Sequence, residues 1–95
     1  MTPAELLARV EALLDAGRYN EALRLLASDR ALYQRVTQGV IRALESDPHG
    51  IITDINGNVW RTSDLIRYVR AGHWFGPLFN LLRSEVELLR RQLGG

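Results

Sequence analysis

Apolar residues recur at steps of three and four along most of this chain, the period of helices with one buried face. Leu6, Leu7, Val10, Leu13 and Leu14 make the first such face, opened by Thr2, Pro3 and Glu5 in capping-box order and closed by Gly17, which predicts a helix over 3–16. Asn20 offers a cap for a short second helix that carries Ala22, Leu23 and Leu26 inward to about Ala27, and the brief link makes the two a helical hairpin. Ser28 or Asp29 then caps a third helix, with Leu32, Tyr33, Val36, Val40 and Leu44 inward up to the stop at Asp47-Pro48. Gly39 in its middle costs about 1 kcal/mol relative to alanine, which marks a close crossing with another element.

The helical period fails between Gly50 and Thr62. Ile51, Ile52, Ile55, Val59 and Trp60 are β-branched or aromatic, and Asn56-Gly57 suits a two-residue turn, so a β-hairpin is predicted over 50–62. Two registers compete. A turn on Asn56-Gly57 pairs Ile55 with Asn58, whereas a turn on Gly57-Asn58 pairs Ile55 with Trp60 and Asp54 with Arg61. Asp54, Asn56 and Asn58 alternate as calcium ligands do, but Gly57 precedes the third of them and no bidentate Glu follows at the required spacing, which leaves the turn reading.

Beyond the hairpin, Thr62, Ser63 and Asp64 cap a fourth helix whose Leu65, Ile66 and Val69 face inward until Gly72. An aromatic link, His73-Trp74-Phe75-Gly76, leads to Pro77, which fits the first turn of a fifth helix. In that helix Phe79, Leu82, Val86, Leu89 and Leu93 keep heptad spacing, and Leu78, Leu81 and Leu88 add a second stripe. This is more apolar surface than one small core easily covers, so a homodimer through the last helix is expected. The fold expected is mainly α: a small five-helix domain in the order α-α-α, β-hairpin, α-α, with one domain over 1–95 and helical halves at 1–47 and 63–95.

Composition narrows the chemistry. The absence of cysteine excludes disulfides, thiol catalysis and cysteine-bound zinc, and His49 and His73 lack any metal-ligand spacing, so neither metal nor cofactor is expected. No nucleophile with its base, carboxylate pair or phosphate loop stands at a recognisable spacing, and the expectation is a protein that is not an enzyme. Glu5, Glu11 and Asp15 fall on the polar face of the first helix, where solvated side chains are expected. A net charge of +1 gives no general attraction to nucleic acid or anionic membrane, so such binding would need a local arginine patch. No apolar run approaches the roughly 18 residues that cross a bilayer. No basic segment followed by an apolar stretch opens the chain, and a cytoplasmic protein is expected.

Two resemblances bear on function. Gly17-Arg18-Tyr19-Asn20-Glu21-Ala22-Leu23 resembles the helix-turn-helix junction of a tetratricopeptide repeat, which implies that Ala22 lets two helices approach while Tyr19 packs across the turn. The repeat's Trp-Leu-Gly pattern is absent upstream, so the likeness is confined to this turn. The order of elements, with Val36 to Glu45 followed by Gly50-Ile51-Ile52 and a turn leading to Trp60-Arg61-Thr62, resembles winged-helix DNA-binding regulators. That resemblance implies a recognition helix over 36–45, a wing over 51–62, Arg35, Thr37, Gln38 and Arg42 in the major groove, and Arg61 on a phosphate. The near-neutral charge ranks this second. The leading expectation is a non-catalytic protein-protein interaction module with Trp60, His73, Trp74 and Phe75 as anchors for a protein partner.

Overall fold

Local chemistry starts and stops each helix. The computed structural model, which describes residues 1–94, has α1 at Pro3–Asp15, α2 at Tyr19–Ala27, α3 at Arg30–Glu45, β1 at Ile51–Thr53, β2 at Val59–Arg61, α4 at Thr62–Arg70 and α5 at Pro77–Gln92. This is the mainly α order expected from the apolar spacing. Thr2 Oγ1 accepts the Glu5 amide at 3.2 Å, and Asp29 Oδ1 accepts the Leu32 amide at 3.2 Å, which satisfies one free donor at the head of α1 and of α3.

Two expected caps are corrected. Asn20 lies inside α2; Arg18 occupies the cap position without a side-chain cap bond, and its guanidinium reaches Glu21 at 2.9 Å instead. Thr62 is the first residue of α4 and is buried, because its hydroxyl donates to the Asp47 carbonyl at 2.8 Å. That bond fastens the exit of the hairpin to the link between α3 and β1.

The hairpin adopts neither expected register. Its strands pair antiparallel with Ile51 opposite Arg61, Ile52 opposite Trp60 and Thr53 opposite Val59. The Asp54 amide donates to the Asn58 carbonyl at 2.9 Å and the Gly57 amide to the Asp54 carbonyl at 3.0 Å. The loop is therefore the three residues Ile55 to Gly57, a tight turn followed by Gly57 at φ 81°. The cause is Asp54. Its Oδ1 accepts the amides of Asn56 at 2.9 Å and Asn58 at 3.0 Å, so the carboxylate closes the turn from within and sets a pairing that the turn dipeptide alone does not specify.

Two apolar clusters make the core. The first joins Leu7 and Val10 of α1, Leu26 of α2, Val36 of α3, and Leu82, Val86 and Leu89 of α5. The second joins Val40 and Leu44 of α3, Leu65 and Val69 of α4, and Leu78 of α5, with Ile52, Trp60 and Phe75 leaning on it. Trp74 touches both.

The heptad seam of α5 is spent inside this chain. Leu82 and Val86 are 0% exposed, Leu89 is 7% exposed, and Phe79 packs at the edge of the first cluster. Of the residues expected to meet a second copy, Leu82, Val86 and Leu89 are core residues, Phe79 is half-buried, and Leu93 is exposed just past the end of α5. Ion pairs accompany this packing: Arg83 reaches Asp15 at 2.6 Å and Glu11 at 3.2 Å, and Arg90 reaches Glu11 at 2.7 Å. Glu11, expected to be solvated, is largely covered by these pairs, whereas Asp15 is exposed as expected and the hydrogen bond from Arg83 outweighs desolvation to hold its carboxyl below its ordinary pKa. Along α5 itself Glu87 bridges Arg83 at 3.2 Å and Arg91 at 2.9 Å. Gly39 marks the crossing of α3 with α5, where a Cβ would overlap the Glu85 carboxylate.

Candidate functional site

The site grows out of two turns. After α4 the amides of Gly72 and His73 return to the carbonyls of Val69 at 3.0 Å and Tyr68 at 2.9 Å, a glycine stop that swings the chain back toward the body. Trp74 then donates its indole N–H to the Tyr33 hydroxyl at 3.0 Å, and Phe75 packs edge-on against Trp60 at 5.0 Å and Tyr68 at 5.1 Å between ring centres. Gly76, at φ 44°, turns the chain into Pro77 and α5. At the start of α5 Phe79 stacks on Tyr19 from the α1–α2 turn, with ring centres 4.3 Å apart. The packing of Tyr19 that the repeat-like turn implies is therefore a contact with the last helix.

These turns leave an open cleft of about 910 Å³ between the hairpin and the aromatic link. One wall is Ile52 to Asn56; the other is Trp74 to Pro77 with Phe79 to Leu81, and Gly17, Tyr19 and Asn20 close the end. Ile55 stands fully exposed at the tip of the hairpin. Among the described residues Asp54 is the one carboxylate in the lining, and no Arg or His lines it.

The Asp54 carboxylate is already engaged. Besides the two amides, its Oδ2 accepts the Asn58 side-chain amide at 3.1 Å and the Trp60 indole at 3.3 Å. Burial alone would raise its pKa, but the bonds from Asn58, Trp60 and Asn56 outweigh it and hold the carboxyl below the ordinary 3.8. A depressed folded pKa contributes stability that is present above the unfolded value and lost as pH falls through the folded one. Slow exchange at the Asn56 and Asn58 amides is thus expected above pH 3.8 and expected to fade below it, while Asp54→Ala exchanges fast throughout. Amide exchange followed across that range checks this; protection unchanged by Asp54→Ala would remove the carboxylate from the account.

Of the anchors expected from sequence, Trp74 and Phe75 line the cleft. Trp60 does not: it is half-buried behind the wall, its ring against Phe75 and its indole on Asp54, and it supports the surface without forming it. His73 is exposed but lies outside the lining, edge-on to Tyr68 at 6.5 Å. Tyr19, Ile55, Phe79 and Asn80 are cleft residues that the sequence did not group. The one signal for them was an isoleucine at a turn tip, where no core can reach it.

Of the residues implied by the winged-helix resemblance, those on α3 line two neighbouring grooves that share Gln38, and Arg61 lines neither. Arg35, Gln38 and Arg42 line a narrower groove of about 290 Å³ with Glu85 and Leu88 of α5. Thr37 faces the groove toward Val69 and Arg70 of α4, and its hydroxyl is buried without a hydrogen-bond partner. Arg61 is exposed on the outer face of the hairpin and lines neither groove.

Among the described residues no three His, Asp or Glu side chains gather as a metal site, and no helix is long and apolar enough to cross a membrane. Comparison with protein-family models, with curated proteins and with solved structures finds no match.

Proposed function

We propose that this chain is a non-catalytic protein-interaction module that holds an apolar, uncharged segment of a partner protein in the cleft between the hairpin and the aromatic link. The observation that carries this reading is a cleft with apolar side chains on every side, Ile55 on one wall, Trp74, Phe75 and Phe79 on the other and Tyr19 at the end, with the side-chain amides of Asn20, Asn56 and Asn80 among them and its one carboxylate, Asp54, fully hydrogen-bonded. Covering a fully exposed isoleucine stabilises a complex by about 1.5–3 kcal/mol, and aromatic side chains on rigid supports lose little entropy when they are covered. A charged side chain entering the same cleft would lose its hydration, and the one charge in the lining, the Asp54 carboxylate, already accepts four hydrogen bonds, which favours uncharged partners. Self-association through the heptad face of α5 forms no part of this reading, since that face is filled by α1 and α3.

Panning a random phage-displayed peptide library on the immobilised protein tests the proposal. Uncharged, apolar-rich peptides are expected, with Kd values of about 10 μM. Asn80→Arg projects a long cation into the cleft from the exposed surface of α5, and it is expected to weaken those peptides at least about tenfold while the melting temperature holds. Peptides that bind the variant equally well would place docking elsewhere. In parallel, duplex DNA is expected to bind no more tightly than about 10 μM at physiological salt, because Glu85 stands in the groove of Arg35 and Arg42. Sub-micromolar, steeply salt-dependent binding weakened by Arg42→Ala and Arg61→Ala would favour the DNA-binding regulator instead.

A further inference from the structure

We infer that the partner segment is held as an added β-strand, extended and uncharged, hydrogen-bonded to the open edge of β1; this rests on the cleft being the docking surface. The register carries the inference. In an antiparallel pair, opposed residues alternate between those that exchange both backbone hydrogen bonds and those that exchange none. Asp54 donates to the Asn58 carbonyl at 2.9 Å and Thr62 donates to the Gly50 carbonyl at 3.1 Å, so the bonded positions of this strand are 50, 52 and 54. Ile51 and Thr53 occupy the other positions. Their N–H and C=O groups point away from β2, and no side chain of the described residues bonds to them.

The open edge borders the cleft. The lining takes in Ile52 to Asn56 and no residue of β2, so the free groups of Thr53 stand at the cleft wall, with those of Ile51 next along the strand. Natural sheets guard open edges with charge, proline or a covering element, and a bare edge is a template for another strand. The two edges of this hairpin differ in that respect. β2 carries Arg61 and runs directly into α4, against which it packs; β1 is Ile51-Ile52-Thr53, with no charge and no proline.

The same geometry fixes the chemistry of the occupant. Main-chain bonds to Ile51 and Thr53 give affinity without regard to sequence, and alternate side chains give selectivity. Ile52 and Trp60 share the inner face of the hairpin, so every second side chain of an added strand falls on the inner side, toward Trp74, Phe75 and Leu81, and must be apolar. The intervening side chains share the outer face with Ile51 and Thr53, which are exposed. The partner is thus an extended stretch of alternating pattern, short enough to match a three-residue strand.

Amide exchange on the intact protein, with a peptide selected by the panning as the probe, reads this directly. Saturating peptide is expected to slow exchange at Ile51 and Thr53 at least about tenfold and to change Ile52 and Asp54, already bonded to β2, much less. N-methylation of alternate peptide amides is expected to abolish binding in one phase of the alternation and spare it in the other. If the Trp74 indole signal shifts on binding while Ile51 and Thr53 exchange as before, or if no phase of N-methylation matters, strand addition is wrong and the cleft reading stands. If no peptide is retained by the wild type over Asn80→Arg, the cleft reading itself fails and takes strand addition with it.

Discussion

Leu82→Ala is expected to lower folding stability by about 3 kcal/mol, whereas Leu88→Ala changes it by less than about 0.5 kcal/mol. Both lie on the apolar stripes of α5, and from the sequence alone either could face a second copy. Leu82 is fully buried among Leu7, Val10 and Leu26, so truncation removes transfer energy and leaves a cavity that close-packed neighbours fill only in part. Leu88 is 51% exposed, and its truncation takes nothing out of a core. Urea denaturation of both variants at two protein concentrations decides. The midpoint is expected not to move with concentration, because the buried heptad residues Leu82, Val86 and Leu89 are covered within one chain. A concentration-dependent midpoint that Leu82→Ala abolishes would put that face between two copies.

Gly57→Val is the second large effect, expected at about 1–3 kcal/mol, the cost of holding a β-branched residue in the left-handed region. Gly57 sits at φ 81° within a turn closed on both sides by Asp54, so the backbone has no room to relax without breaking that carboxylate's bonds. The loss should be local before it is global: Trp60 leaves its place over Phe75, and its fluorescence shifts at a denaturant concentration where the helices still hold. Gly94 has φ 95° as well. Gly94→Val is still expected to cost less, because a residue beyond the end of α5 can rotate outward without disturbing the core. Equal thermal melts for wild type and Gly57→Val would mean that the turn does not constrain the fold.

What the sequence disclosed and what it withheld divide by distance along the chain. Thr2, Pro3, Gly17 and Asp29 act on backbone groups a few residues away, and they placed the ends of α1 and the start of α3 correctly. Gly39 announced a crossing without naming what crosses it; Glu85, on another helix, supplies the answer. The α5 seam was visible as a pattern, but heptad spacing describes an apolar groove and not its owner. The groove is filled by Leu7, Val10, Leu26 and Val36 of α1, α2 and α3, and the pairs that frame it, Arg83 with Glu11 and Asp15 and Arg90 with Glu11, join residues from opposite ends of the chain.

The hairpin shows a different limit. Its existence followed from β-branched residues around Asn56-Gly57, yet its register was set by one side chain, Asp54, whose four bonds no propensity encodes. The cleft was half legible for a related reason. Trp74 and Phe75 stand next to each other in sequence, whereas Tyr19 meets Phe79 only once α1, α2 and α5 have packed.

The central claim, that the cleft is the docking surface, is tested most directly by mapping amide and indole shifts on the folded protein as a panned peptide is titrated in. Shifts are expected to be confined to Ile51 through Asn56, to Tyr19 and Asn20, and to Trp74 through Leu81. Shifts centred on Arg35, Gln38 and Arg42, with the Trp74 indole unmoved, would contradict it.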